Sequence, residues 1–364
     1  MNIAAQTART LTRTVSCGTH VALRLGEGAA HTVTPLLTDP VHAASTVWSS
    51  TLGLPMSSEQ TAEVVDKVDL SKIQPKKVFT PENGAAMAAL ATMAYSDPRD
   101  QKKHLAEQSA VESFHFLDSK NNARLGIHAP DTGTQLSVVE TKNALLIAAR
   151  GTTPPWLANI GKENQPQKQD YLNDLNTDPV KNYDKSADVH AGFKNAADGI
   201  WGQVSPLIKQ ASAAHKAIMF SGHSLGAAVA LQLADRTHEQ LHIMPASVIR
   251  TGGPDIGWDD EKKHLVDSGL AARTVNFINN TDPVPHVLPG GQAAGYQVYF
   301  NHSGKAELGN GSHDADRALG ATEKALELNL NPIYDHVPPF YNERIQDPRN
   351  ATVLAQLERH IEKK

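Results

Sequence analysis

Hydrophobic and polar positions change their spacing along the chain, and the changes mark out elements. Ala144 to Ala149 is an unbroken apolar run, as a strand buried on both faces of a sheet would be. Before it, Phe114 to Leu117, Leu125 to Ala129 and Leu136 to Glu140 are short and suit antiparallel edge strands. Helical spacing appears over Pro81 to Tyr95, with proline near its start and alanine-rich turns behind it. Beyond residue 190 the runs alternate. Phe193 to Gln210 reads as helix, Ala217 to Phe220 as strand and Leu225 to Ala234 as helix. Ser247 to Ile249 and Thr274 to Ile278 are further strands with helical spacers, followed by Tyr296 to Phe300 with Gly304 to Leu308 as hairpin partner. Ala315 to Leu328 is a last predicted helix. This alternation predicts an α/β domain over residues 76–364, with a central, mostly parallel sheet flanked by helices.

Residues 1–75 differ. They are rich in Ala, Thr, Ser and Val and hold no sustained period. Val41 to Leu54, with Trp48, is a weakly amphipathic helix candidate, and Thr61 to Ile73 a better one, with Val64, Val65, Val68 and Leu70 near one face. Two readings of this N-terminal extension stand open: a partly disordered tail, or a segment for export, chaperone binding or membrane contact. Arg9, Arg13 and Arg24 interrupt any apolar core of a secretory signal. The expected location is therefore the cytoplasm of the producing cell, with any export taking a route that needs no signal peptide.

Composition narrows the chemistry. The single cysteine, Cys17, allows no internal disulfide and no thiolate zinc site. A formal net charge of −5 gives no reason to expect nucleic acid as a partner. The seventeen histidines read as scattered, and neither metal nor cofactor is expected.

One motif carries chemistry. Gly222-His223-Ser224-Leu225-Gly226 is a G-x-S-x-G pentapeptide with an apolar strand leading in and an alanine-rich helix leading out. A serine on such a strand-to-helix turn is forced into a strained conformation with its hydroxyl exposed. Side chains at the two glycines would collide between strand and helix. The helix N-terminus places the Leu225 N–H beside the serine, where it can hold an oxyanion. Serine needs a base, and the base needs a carboxylate. In this fold type the chain order is serine, acid, histidine. Three histidines follow at suitable positions, His302, His313 and His336.

With the pentapeptide, five further blocks resemble the class 3 lipases, the group of the fungal triacylglycerol lipases and their bacterial and plant relatives. They are Ala149-Arg150-Gly151-Thr152, Asp170-Tyr171-Leu172-Asn173-Asp174-Leu175, Val189-His190-Ala191-Gly192-Phe193, Thr251-Gly252-Gly253-Pro254-Asp255-Ile256-Gly257 and Asp282-Pro283-Val284-Pro285-His286-Val287-Leu288-Pro289. All stand in the family's order, over roughly residues 80 to 345. Asp170-Tyr171 replaces the family's Asn-Trp, and Asp255 stands where arginine is usual.

The resemblance implies an α/β-hydrolase fold with an N-terminal extension and a lipase or phospholipase A1 type of acyl ester hydrolysis through an acyl-enzyme. It assigns Ser224 as nucleophile and Asp282 as triad acid. His336, in Asp335-His336-Val337-Pro338-Pro339-Phe340-Tyr341, looks like the family's late histidine followed by an aromatic. His313 stays as the alternative base. The Thr152 N–H is the implied second oxyanion donor beside Leu225. The family's lid falls between Thr152 and Asp170, where Trp156, Leu157 and Ile160 form an apolar head on a polar stalk. The expected partner is a lipid or phospholipid ester at an interface. The absent signal adds the expectation of a secreted bacterial effector, with a secretion chaperone or an immunity protein as further partners. An intracellular carboxylesterase and a non-catalytic lipase-like binding or signalling protein are the alternatives.

Overall fold

The computed structural model describes residues 57–151, 176–286, 294–309, 313–326 and 334–363. The segment 1–56, with the Val41 to Leu54 helix candidate, lies outside the described residues. The compact unit considered below spans Met56–Lys364.

Its centre is an eight-stranded sheet. β1 (Val111–Asp118), β2 (Gln135–Thr141) and β3 (Ala144–Ala149) form an antiparallel meander at one edge. The small strands β4 (Pro179–Lys181) and β5 (Asp188–His190) pair apart from it. β3 then lies parallel to β6 (Ala217–His223), followed by β7 (Ser247–Thr251), β8 (Thr274–Asn279) and β9 (Tyr296–Phe300), all parallel. β10 (Ala306–Leu308) closes the other edge as the antiparallel partner of β9. The order β1-β2-β3-β6-β7-β8-β9-β10 is the mostly parallel, helix-flanked arrangement of an α/β-hydrolase.

The helices are α1 (Ser58–Ala62), α2 (Pro81–Met93), α3 (Pro98–Ala106), α4 (Ala191–Ala213), α5 (Leu225–Leu241), α6 (Asp259–Asp267), α7 (Asp314–Leu326), α8 (Pro338–Gln346) and α9 (Ala351–Glu362). The two-residue period of a strand sorts the core into two layers. Leu145, Ile147 and Ala149 of β3 face α4 and α5, with Ile200, Val204 and Leu231. Leu146 and Ala148 face the other way, onto Met87 and Leu90 of α2 and Leu354 and Leu357 near the C-terminus. Every residue of β3 is buried, as its unbroken apolar run requires. Among the described residues no helix is long and apolar enough to cross a membrane.

Several expectations change. Leu125 to Ala129 is no strand. A short 3-10 turn over Ala123–Leu125 ends at Gly126, in the left-handed region at φ 71°. Ile127 then packs against Gly202 of α4, where an added Cβ would meet it at 2.6 Å. The site is held by packing onto a helix, not by a ladder. Thr61 to Ile73 is no continuous helix either. A capping box of Ser57 and Gln60 starts α1 earlier, and two 3-10 turns follow over Glu63–Lys67 and Leu70–Lys72. Val64 and Val65 crowd χ1 in a helix, and the Asp69 side chain accepts from the Ser71 N–H to begin a separate turn. The apolar positions keep their role: Val64, Val65 and Leu70 are buried in the core. The packed body therefore begins before residue 76, with residues 57–73 built into it. The C-terminal helices α8 and α9 are additions to the expected elements.

Candidate active site

β6 delivers the central residue. It ends at His223, and Ser224 turns the chain into α5 with φ 60° and ψ −132°. A non-glycine residue here stores strain that the surroundings must hold. The Ser224 N–H donates to Thr251 O at 3.0 Å, pinning the turn to β7. Space is the other condition. A Cβ at Gly222 would stand 2.1 Å from Gly226 O, and one at Gly226 2.1 Å from Ala149 O, so strand, helix and the end of β3 meet without side chains.

The three candidate residues come together. His336 Nε2 lies 2.8 Å from Ser224 Oγ. His336 Nδ1 lies 3.0 and 2.9 Å from the two carboxylate oxygens of Asp282. Asp282 is fully buried, while Ser224 and His336 are half-buried. With Nδ1 protonated toward the carboxylate, Nε2 is left to accept from the serine hydroxyl.

The acid is itself held. The Val284 N–H donates to Asp282 Oδ1 at 2.8 Å, and the buried Tyr341 hydroxyl donates to Oδ2 at 2.5 Å. The same hydroxyl accepts from the Asn279 N–H at 3.1 Å. Burial, reinforced by the Asp282 charge, holds the Tyr341 phenol well above its ordinary range, so it stays a donor. Asp335 clamps the histidine loop to the acid loop: its Oδ2 accepts from the N–H and hydroxyl of Thr281, both at 2.8 Å. Its carbonyl accepts from Asn279 Nδ2 at 2.9 Å. Gly252, at φ 57°, lies under all three loops. A Cβ there would sit 2.7 Å from Asp282 Oδ2 and 3.1 Å from His336 Nδ1.

His223 packs in the elbow. Burial, aided by the neighbouring His336, drops its pKa well below the ordinary value, so it is neutral. Its Nε2 donates to His336 O at 2.6 Å and its Nδ1 accepts from the Tyr95 hydroxyl at 2.9 Å. His190 sits elsewhere, its ring against Trp258 and Phe193. The other candidate bases are occupied. His302 Nδ1 contacts the Asp316 carboxylate, and His313 stacks on Tyr299 with centroids 3.7 Å apart.

Asp255, the departure from the family's arginine, is buried, and burial raises its carboxyl to about 6 against the attraction of Arg250. Arg250 is buried too. It bonds Asn276 Oδ1 at 2.7 Å and Ala227 O at 3.1 Å, joining β7 to β8 and the first turn of α5. Burial lowers its guanidinium to about 10, and Asp255 opposes that shift.

Leu225 heads α5, so its N–H has no partner within the helix. Thr152 and the lid residues Trp156, Leu157 and Ile160 lie outside the described residues, as does the Asp170 to Leu175 block. Reading by sequence missed Tyr341, Tyr95, Asn279 and Asp335 as supports. The aromatic pair Phe340-Tyr341 after His336 is the one available signal.

No curated protein sequence matches the chain. Among solved structures, a fungal lipase in complex with an inhibitor is 18% identical, matching 63% of this chain and 83% of that one with a TM-score of 0.50. The triacylglyceride lipase of Rhizomucor miehei is 17% identical over 70% of this chain and 94% of that one, with a TM-score of 0.47. The former likeness supports the fold. The family model described as lipase (class 3) matches residues 146–291, from β3 through the elbow to the Asp282 loop. Over those residues the chain is similar to the class 3 lipases.

Proposed function

We propose that this protein is a serine-dependent acyl ester hydrolase acting on lipid, through an acyl-enzyme at Ser224. The observation that carries the reading is the continuous chain from Ser224 Oγ to His336 Nε2 at 2.8 Å and from His336 Nδ1 to Asp282 at 2.9 Å. It ends on a carboxylate sealed from water, at a strained serine.

In the first half-reaction His336 Nε2 takes the Ser224 proton as Oγ attacks the ester carbonyl. Asp282 stabilises the imidazolium through Nδ1–H. The carbonyl oxygen gains charge and is held by the Leu225 N–H, with the Thr152 N–H as the second donor. Each such donor is worth about 3 kcal/mol in the transition state. His336 then returns its proton to the leaving alcohol. In the second half-reaction water attacks the acyl carbon as His336 takes its proton, and His336 returns that proton to Ser224 Oγ as the acyl–oxygen bond breaks and the acid is released. These steps need no group beyond the chain and water.

Trp156, Leu157 and Ile160 act in this reading as the apolar edge of a lid, which favours long-chain lipid esters over small soluble ones. Triacylglycerol and phospholipid remain the two substrate classes to separate. Purified wild type and Ser224→Ala are assayed on triacylglycerol emulsion, phospholipid vesicles and a short-chain ester, following acid release. Release by the wild type, lost in the variant, is expected, with emulsion or vesicles preferred. No release from any substrate by folded wild type overturns the reading.

A further inference from the structure

Away from the elbow, two helices bring metal-ligand chemistry to one place. Asp235 and Glu239 stand four residues apart on α5, and Glu261 and His264 three apart on α6, so each pair shares a helix face. One ligand atom each from Asp235, Glu239 and His264 lie within 4.8 Å of one another. Asp235 is eleven residues along from Ser224, roughly 16 Å at the rise of a helix, so this cluster is separate from the triad.

Three independent features point to a cation. First, the imidazole is oriented as a metal ligand is. His264 Nδ1 lies 3.3 Å from Asp184 Oδ2 and 3.3 Å from Ser186 Oγ, while Nε2 faces Asp235 Oδ1 at 2.7 Å. A carboxylate behind a ligating histidine fixes its tautomer and direction. Second, two carboxylate oxygens are buried without any protein partner, Asp235 Oδ2 and Glu261 Oε1. Asp235 is 0% and Glu261 1% exposed. Orphaned carboxyl oxygens in an interior are costly unless something binds them. Third, Glu239 lies in the last turn of α5, whose C-terminal end already carries partial negative charge. A cation offsets all of these at once.

The sequence holds a signal here that a reading of the histidines as scattered passes over. His238-Glu239-Gln240-Leu241-His242 has the spelling of a zinc-peptidase helix. Its two histidines do not form that site. His242 lies past the last turn of α5 at φ 56°, and His238 Nδ1 turns to Glu239 Oε1 at 2.8 Å. The converging ligands are Asp235, Glu239 and His264 instead.

We infer that Asp235, Glu239 and His264 form a divalent-metal site tying the end of α5 to α6, with Asp184 orienting the imidazole and Glu261 beside it. One imidazole nitrogen with carboxylate oxygens suits zinc or manganese.

The test uses untagged full-length protein freed of metal by a chelator and titrated calorimetrically with Zn²⁺ and Mn²⁺. One equivalent is expected to bind. At a hundredfold excess over Kd the melting temperature rises by roughly 4–8 °C. Glu239 is only partly buried, so Glu239→Gln keeps the fold. It weakens binding about 10–100-fold and leaves ester hydrolysis in chelator unchanged. Absence of binding up to millimolar metal, or equal binding by wild type, Glu239→Gln and the Glu239→Gln/His264→Gln double variant, overturns the site and leaves a His264–Asp235 ion pair in its place.

Discussion

His223 Nε2 donates to the carbonyl oxygen of His336 at 2.6 Å, so the residue before the nucleophile holds the backbone of the base. A carbonyl can only accept, which places the proton on Nε2. Nδ1 then accepts from the Tyr95 hydroxyl at 2.9 Å. The position of His336 is thus set from two sides: its side chain by Asp282, its main chain by His223.

Replacing His223 by leucine keeps the bulk and removes both bonds. The His336 carbonyl loses this partner, at about 1–3 kcal/mol of stability, while the Tyr95 hydroxyl keeps the His223 carbonyl at 3.4 Å. Steady-state kinetics should show kcat lowered about tenfold with KM held, since a misplaced base affects the transition state alone. A fall confined to KM would contradict a positioning role.

Tyr341→Phe tests the acid in the same way. The hydroxyl bonds both Asp282 Oδ2 and the Asn279 N–H. Its loss removes a bond to a charged group, worth about 1.5–3 kcal/mol. The melting temperature and kcat should fall together. Unchanged kcat in a folded variant would show that Val284 N–H and His336 alone suffice to hold Asp282.

Much of this site was legible and part was not, for physical reasons. β3 was readable because a strand buried on both faces has an unbroken apolar run, and the elbow because strand, glycines and alanine helix agree locally. Asp282 came from its family block. The choice between His336 and His313 was beyond the sequence, since both follow Asp282 and only folding shows that His313 is spent on Tyr299. Tyr341 and Asp335 act through contacts with residues over fifty positions away, which no local pattern records. Leu125 to Ala129 had strand-like composition, yet Gly126 turned it and Gly202 offered Ile127 a seat on a helix.

Gly252→Ala places a methyl group where the acid loop, histidine loop and β7 converge. The Cβ would lie 2.7 Å from Asp282 Oδ2 and 2.9 Å from the Tyr341 hydroxyl, at a backbone φ of 57°. The left-handed conformation alone costs a non-glycine residue about 1–2 kcal/mol. Displacement of Asp282 adds a loss of activity of about 100-fold, since misplacement by an ångström is enough. Near-wild-type turnover in this variant would show that the loops yield without moving the triad.

Asp255→Asn probes the departure from the family's arginine through pH. Burial lifts the Asp255 carboxyl from 3.8 to about 6, with Arg250 opposing. Between these values the folded chain binds more protons than the unfolded one, so stability falls as pH rises from 3.8 to about 6. Above that range the folded state carries the full cost of the buried charge, about 1–3 kcal/mol. Asparagine keeps the shape and removes the charge. Thermal or urea unfolding at pH 7.5 should therefore find Asp255→Asn more stable than wild type, and at pH 4 the difference should close. A variant less stable at pH 7.5 would mean that the charge of Asp255 is needed by Arg250, whose own bonds to Asn276 and Ala227 would then be insufficient to hold it in the core.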